Sequence, residues 1–364
     1  MTTDTNLRQP VTELEEQLNA QFVDREEPIH GVLLGLLTQE HVLLLGPPGT
    51  SKTQMVSKVS QGLGLSYFRR LMTQFSTPDD VIGPVDIQGY TQEGKHRRLL
   101  AGKAADSQLV LLDEVFKAGP AILNCLLSLM EERIIDNDGE VVQAPLITLI
   151  GTSNELPSDD DGLMAFYDRF TLRYMTKYLD DELLIELLLT IQQSDLMQVM
   201  DLDTLVTIQQ QVDAMPVPSS TVESVKLAWS QLRDHEQTVS DRRLRKLLNV
   251  MAAESWLTGY DEVVPSSLTA GTAVMWNKPE DYDEVKRILL ASVNPHEARA
   301  GEIYEDLMEL NSELVGMIDP SEKMQRLQQV KAMQAELEPM SDSRIVNRTK
   351  VKAAELFNSI VENI

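Results

Sequence analysis

The residues best suited to chemistry are Gly46-Pro47-Pro48-Gly49-Thr50-Ser51-Lys52-Thr53, directly after the apolar run His41 to Leu45. Glycines there let successive backbone N–H groups converge on an anion, and the start of a helix adds the positive end of its dipole. Lys52 is placed to neutralise phosphate oxygens and the Thr53 hydroxyl to ligate a divalent cation, so ATP with Mg²⁺ is the expected pair. Ser51 stands where such a loop usually carries glycine. It is expected to take the early helical conformation that follows the loop, with binding intact.

A second apolar run, Leu109-Val110-Leu111-Leu112, ends in Asp113-Glu114. The carboxyl ends of strands are where a doubly wound sheet places its ligands. Asp113 is expected to hold Mg²⁺ through water, and Glu114 to orient and polarise the attacking water. Alone, Asp-Glu after a strand is commonly a helix cap; downstream of a phosphate loop it reads as the matching acid pair. A third run, Leu146 to Ile150, leads to Gly151-Thr152-Ser153-Asn154, and Asn154 is placed to hydrogen-bond the γ-phosphate or the attacking water.

Arginines complete the set. Tyr167-Asp168-Arg169-Phe170 follows an acidic loop at 158–162. Arg169 there cannot easily reach its own nucleotide but could stabilise transition-state charge on a neighbour's; Arg173 is a second candidate, and Asp168 could pair with Arg169 structurally instead. In Ser240-Asp241-Arg242-Arg243, Ser240 is a good N-cap and Asp241 suits the first turn. Two arginines at a helix start oppose the dipole unless an anion lies near, which points Arg242 and Arg243 at a phosphate.

Holding these residues together calls for a parallel sheet. His41 to Leu45, Gln108 to Leu112 and Leu146 to Ile150 suit strands buried on both faces. Leu65 to Met72 and Phe170 to Thr176 are weaker strand patterns. Beyond Asp180 the spacing turns helical: 182–193, 202–215, 222–234 and 244–258, with Pro216 and Pro218 between two of them. After Tyr282 come more amphipathic helices, broken at Pro295, Pro320 and Pro339. There Met324, Leu327, Val330, Met333 and Leu337 make one stripe, which at about two heptads suits packed helices better than a coiled coil. The fold expected is α/β: a nucleotide-binding core with a parallel sheet flanked by helices at 1–180, an all-helical lid at 181–295 and a C-terminal helical extension at 296–364.

A formal charge of −25 disfavours phosphate backbones as partners. The basic run Lys95-His96-Arg97-Arg98, with Lys103, reads as a solvated loop, and no aromatic residues interleave it as stacking platforms. No apolar run reaches the roughly 18 residues of a membrane span. Met1 to Pro10 lacks the features of a secretory signal, and a single cysteine, Cys125, suits the cytoplasm.

These motifs resemble the MoxR family of AAA+ ATPases, most closely its RavA branch. The resemblance rests on 46–53, 74–83, 111–124, 153–157, 167–170 and 240–243, and covers roughly residues 20 to 290. It implies Walker roles for Lys52, Thr53, Asp113 and Glu114, sensor 1 for Asn154, an arginine finger for Arg169 and sensor 2 for Arg242. It also implies two pore-lining hairpins, near 86–103 with a turn at Gln92-Glu93-Gly94, and near 133–143 with a turn at Asn137-Asp138-Gly139. A homo-oligomeric ring is implied, a hexamer, acting as a chaperone-like remodeller beside a partner with a von Willebrand factor A domain. The match weakens after about Ala300, where RavA proteins carry a further domain.

Two rivals fit less well. A nucleic-acid motor or loader shares the hairpins but not the charge. For a small GTPase, Asp80-Val81-Ile82-Gly83 fits D-x-x-G, yet Asn277-Lys278-Pro279-Glu280 ends in glutamate and lies in the helical half.

Overall fold

The computed structural model describes residues 5–157, 161–180, 183, 198–314, 320–340 and 344–362. Most of the acidic loop at 158–162 and of the helix expected at 182–193 lies outside them. All five expected strands of the sheet form: β1 (Val42–Leu45), β2 (Tyr67–Leu71), β3 (Leu109–Asp113), β6 (Thr148–Ser153) and β7 (Leu172–Met175). They pair in parallel in the order β2-β3-β6-β1-β7. β1, β3 and β6 are buried along their whole length, as continuous apolar runs between covered faces should be.

Register then does the positioning. Leu45 lies beside Ser153, and Leu112 beside Gly151, so β1, β3 and β6 end at one edge of the sheet. Gly151 is required there, because a Cβ would stand 2.8 Å from the Phe170 ring.

Helices named below are α1 (Thr5–Asn19), α2 (Glu26–Thr38), α3 (Lys52–Leu63), α4 (Ile87–Glu93), α5 (Pro120–Glu132), α6 (Asp161–Tyr167), α7 (Leu202–Asp213) and α8 (Ser219–Asp234). Then come α9 (Asp241–Leu257), α10 (Tyr282–Val293), α11 (Pro295–Leu314), α12 (Pro320–Leu337) and α13 (Arg344–Glu362). α2 packs on α1, α7, α9 and β7. It buries Ile29, Val32, Leu33 and Leu36, each worth roughly 1.5–3 kcal/mol of transfer free energy.

The insertion at 86–103 departs from expectation: its rising limb is helix α4, not a strand. Asp86 Oδ1 accepts from the Gln88 N–H at 3.1 Å and caps it, and Gly94 at φ +68° ends it. One bridge, Val85 with Arg98, is all the ladder it makes among the described residues. The second insertion is the expected hairpin, β4 (Ile134–Asn137) against β5 (Glu140–Gln143), turning through Asp138 and Gly139, both at positive φ. The two insertions are tied together. Asn137 Oδ1 accepts from the Arg98 N–H at 2.6 Å, and Arg97 pairs with Glu140. Arg98 also pairs with Asp79, and Lys95 with Glu93.

By compactness the chain forms two units, Met1–Pro218 with Thr238–Asp281, and Ser219–Gln237 with Tyr282–Ile364. Residues of the 181–295 stretch therefore contribute to both. In the second unit α11, α12 and α13 share a core of Ile303, Leu307, Val330, Val346, Leu356 and Ile360. Leu327, Val330 and Leu337 of the α12 stripe are buried and Met333 packs against them, while Met324 is 47% exposed.

In the first unit, His30 of α2 joins Glu15 of α1 to Glu254 of α9, 2.7 Å from each. Burial opposes its charge, but hydrogen bonds to both glutamates outweigh that and push its pKa up to about 10 from 6.5. A raised folded-state pKa stabilises fully below the unfolded value and loses that contribution as pH rises through the folded one. The melting-temperature gap between wild type and His30→Gln should therefore be widest below pH 6.5 and close toward pH 10. A gap constant across that range would show an uncharged His30.

Candidate functional site

The phosphate loop leaves β1 at Gly46, whose φ of +147° and lack of a Cβ let it pass Thr176, since an added Cβ would stand 2.1 Å from the Thr176 carbonyl oxygen. The Gly46 N–H donates to Ser153 O at 3.0 Å, fastening the loop to the end of β6. Lys52 is buried, and its ammonium donates to the Gly46 and Pro47 carbonyls at 2.6 and 2.8 Å. Burial lowers its pKa, against the opposing pull of Glu114 and Asp113.

Ser51 departs from its expected conformation. It sits at φ +63°, ψ +10°, left-handed rather than early helical. The N–H groups at the start of α3 thus turn through a geometry that glycine adopts freely and serine does not. Its hydroxyl makes no capping bond that would offset this.

Asp113, at the buried end of β3, accepts from the Thr53 and Thr152 hydroxyls on Oδ1, each at 2.9 Å, and from Arg69 Nε on Oδ2 at 3.0 Å. Thr53 and Asp113 are thus adjacent hard oxygen donors, the kind that suits Mg²⁺. Glu114 is also left-handed, at φ +55°. Its Oε1 accepts from Asn154 Nδ2 at 2.5 Å. Its buried Oε2 has no hydrogen-bond partner, although Lys117 Nζ stands 3.2 Å away. A strained acid at a cavity wall, with one oxygen anchored by an amide and the other beside an ammonium, is held in place and suited to take a proton from a water. Pro48 to Thr53, Asp113, Glu114, Thr152 and Asn154 line one cavity of about 360 Å³, within the range of small-ligand sites.

The predicted arginines gather elsewhere. Arg169 and Arg242 share one carboxylate, Glu131 at the end of α5, at 3.3 and 3.1 Å, and neither lines the cavity. Burial and Arg242 both lower the Arg169 pKa, the mark of two crowded guanidiniums. Arg243 is enclosed: it donates to the Val274 and Trp276 carbonyls and Asn277 Oδ1, with Asp168 at 3.3 Å. Arg173 is enclosed too, donating to the Phe170, Tyr167 and Trp276 carbonyls; burial and Arg243 lower its pKa to about 9. Ser240 caps α9 through the Arg243 N–H and donates to Asp168. The anions that the arginine-rich helix start calls for are therefore Asp168 and Glu131 of the chain itself. Asn277, the GTPase-like asparagine, spends its amide on Arg243 and the Thr238 carbonyl.

Sequence reasoning missed two residues. Arg25, though set among the charged Asp24, Glu26 and Glu27, is buried and donates to Thr50 O at 3.1 Å and Lys177 O at 2.8 Å, bracing the loop. Arg69 lay in a weak strand with nothing to mark it.

A parallel sheet with a phosphate loop after β1, an acid pair after β3 and an asparagine after β6 defines the AAA+ ATPase fold. Residues 9–215 match the family described as the MoxR domain in MoxR-vWA-beta-propeller ternary systems, and residues 202–289 match an AAA lid domain. The chain belongs to the MoxR family of AAA+ ATPases. An uncharacterised protein of Methanocaldococcus jannaschii is 27% identical over 96% of both chains. Chaperone MoxR1 of Mycobacterium tuberculosis is 27% identical over 43% of this chain and 41% of its own. The crystal structure of a candidate ATPase from Cytophaga hutchinsonii superposes with a TM-score of 0.64 at 20% identity, covering 80% of this chain and 96% of that one. These likenesses establish the family without singling out the RavA branch. Among the described residues no helix is long and apolar enough to cross a membrane.

Replacing Ser51 with glycine should relieve the left-handed strain and stabilise the nucleotide-binding unit by about 0.5–1 kcal/mol. Ser51→Val should destabilise it, because a β-branched residue tolerates positive φ least. Thermal unfolding checks both; no gain for glycine would mean that Ser51 is not strained.

Proposed function

We propose that the chain hydrolyses ATP with Mg²⁺ between neighbouring subunits of a homo-oligomeric ring, a hexamer, and spends the energy remodelling protein partners. The observation that carries the reading is Glu114, anchored by Asn154 at Oε1 and paired with Lys117 at Oε2, lining one cavity with Lys52, Thr53 and Asp113. In that arrangement the 46–53 loop holds the phosphates and Lys52 turns from the loop carbonyls to their oxygens. Glu114 takes a proton from the water that attacks the γ-phosphorus, giving ADP and inorganic phosphate. Asn154 fixes the Glu114 carboxylate. Mg²⁺, when bound, supplies charge neutralisation on the phosphates, with Thr53 and Asp113 the residues that would hold it.

Arg169 and Arg242, paired at Glu131 and absent from the cavity's lining, are offered together to an adjacent subunit's nucleotide, while the enclosed Arg173 and Arg243 are struts. A heterologous contact of this kind closes into a ring when its rotation permits. A protein client is favoured over nucleic acid, because the chain is strongly acidic and Lys95, Arg97 and Arg98 are already paired with its own acids. The chaperone name of the mycobacterial relative supports remodelling, and the matched family's name supports a partner with a von Willebrand factor A domain. The compartment assigned is the cytoplasm, on the single cysteine.

Activity per subunit should rise with protein concentration. Glu114→Gln should bind ATP without hydrolysing it, and Lys52→Ala should not bind. Arg169→Ala should bind ATP nearly normally and turn it over on the order of 10³-fold more slowly. Mixing it with Lys52→Ala should restore turnover, since the Lys52→Ala neighbour lends an intact Arg169. Concentration-independent activity, with no rescue in mixtures that co-assemble, would place hydrolysis within one chain.

A further inference from the structure

Arg69 is the cation at Asp113, and the reaction above leaves it without a role. β2 pairs with β3 so that Leu71 faces Asp113 and Arg69 faces Leu111. Alternation then puts Arg69 diagonally across from Asp113 on one face of the sheet, within reach of a long side chain. Its Nε donates to Asp113 Oδ2 at 3.0 Å, while both hydroxyl donors, Thr53 and Thr152, use Oδ1.

The three donors differ in what they can do when a cation arrives. A hydroxyl is donor and acceptor, so Thr53 and Thr152 can turn their protons away and stay. A guanidinium has no acceptor and keeps its charge, so it cannot become a ligand and stays as a second cation competing for the same carboxylate. It would also face that metal across a partly desolvated gap, where repulsion exceeds its value in water. Leaving is easy for it. The Arg69 side chain is 54% exposed, and beyond the end of β2 lies a cavity of about 580 Å³ that Arg69 already lines with Arg70, Thr73, Phe75 and Asp80.

We propose that Arg69 is an exchangeable counterion of Asp113, which orients the carboxylate in the metal-free site and competes with Mg²⁺ for it when the metal binds with ATP. Arg69 would then set the Mg²⁺ concentration at which the metal enters the site. The inference rests on the nucleotide site proposed above.

Equilibrium titration of the full chain with a ribose-labelled fluorescent ATP analogue, in EDTA and across rising Mg²⁺, tests it without hydrolysis. Arg69→Ala, whose Asp113 lacks its counterion, should bind the analogue no more tightly than wild type in EDTA, yet reach half-maximal metal-dependent tightening at roughly fivefold less Mg²⁺, the scale of one half-exposed charge pair. Arg69→Lys, which keeps a cation there, should stay near wild type. Arg70→Ala, whose guanidinium pairs with Asp80 at 2.5 Å instead, should change neither titration. Should the alanine variant not fold, Arg69→Gln keeps the length, loses the charge and must show the same sign. An Arg69 that merely props Asp113 gives the opposite result, a higher Mg²⁺ requirement in Arg69→Ala. That result, or no shift, overturns the proposal. Wild type that binds no analogue in either condition overturns the nucleotide site itself, and is seen before any variant is made.

Discussion

Carrying a carboxylate to the buried end of a strand costs several kcal/mol unless each oxygen finds a donor, and at Asp113 the donors come from three other elements. Thr53 reaches it from the first turn of α3, Thr152 from β6 and Arg69 from β2. The strand order β2-β3-β6-β1-β7 makes this possible, because it seats β3 between the other two and brings the end of β1 alongside β6. A shift of one residue in any of these pairings would leave the acid partly unsatisfied. The Asp113 contacts therefore test register throughout the site, and Glu114 and Asn154 inherit their places from them.

A second constraint sorts the arginines. Three of them, Arg169, Arg242 and Arg243, pair with two carboxylates, Glu131 and Asp168, while Arg173 is held by carbonyl oxygens. Burial separates their fates. Arg173 and Arg243 are 1% and 2% exposed and spend their guanidiniums on carbonyl oxygens around Trp276, which ties β7 to the start of α9. Arg169 and Arg242 keep part of their surface in water and share a carboxylate that is itself 42% exposed. An ion pair that open is weak, on the order of 1 kcal/mol or less, and so easily exchanged for a phosphate. The enclosed pair has no such freedom.

Much of this was legible in the chain. Each of the three apolar runs is a buried strand, and the cavity collects the loop, acid pair and asparagine that follow them, because motif spacing and sheet geometry are one constraint seen twice. What was not legible depends on tertiary context. Asp24-Arg25-Glu26-Glu27 has the composition of a solvated turn, and only the fold turns Arg25 inward onto Thr50. Arg242 and Arg243 are neighbours with identical propensities, and only packing decides that one is enclosed. The 86–103 insertion became helical at its start because Asp86 and Gly94 are a cap and a stop, a local signal outweighed by likeness to a family. The division into two units likewise follows contacts between helices distant in sequence, such as α8 with α10.

Strain shows how firmly the site is held. Ser51 and Glu114 both occupy the left-handed region, which costs a non-glycine residue of order 1–3 kcal/mol. Such conformations persist only where the surroundings over-determine them. At Ser51 the chain is pinned on one side by Thr50, whose carbonyl is held by Arg25 and whose hydroxyl meets Thr176, and on the other by Lys52 and Thr53. At Glu114 the preceding acid is fixed by its donors and the side chain by Asn154. The two strained residues line the same cavity, one at the end of the 46–53 loop and one in the acid pair. Strain relieved by either would move a loop N–H or the acid itself. The stability spent there keeps the N–H groups and the acid in fixed relative positions before any ligand arrives, which is what electrostatic catalysis of phosphoryl transfer requires.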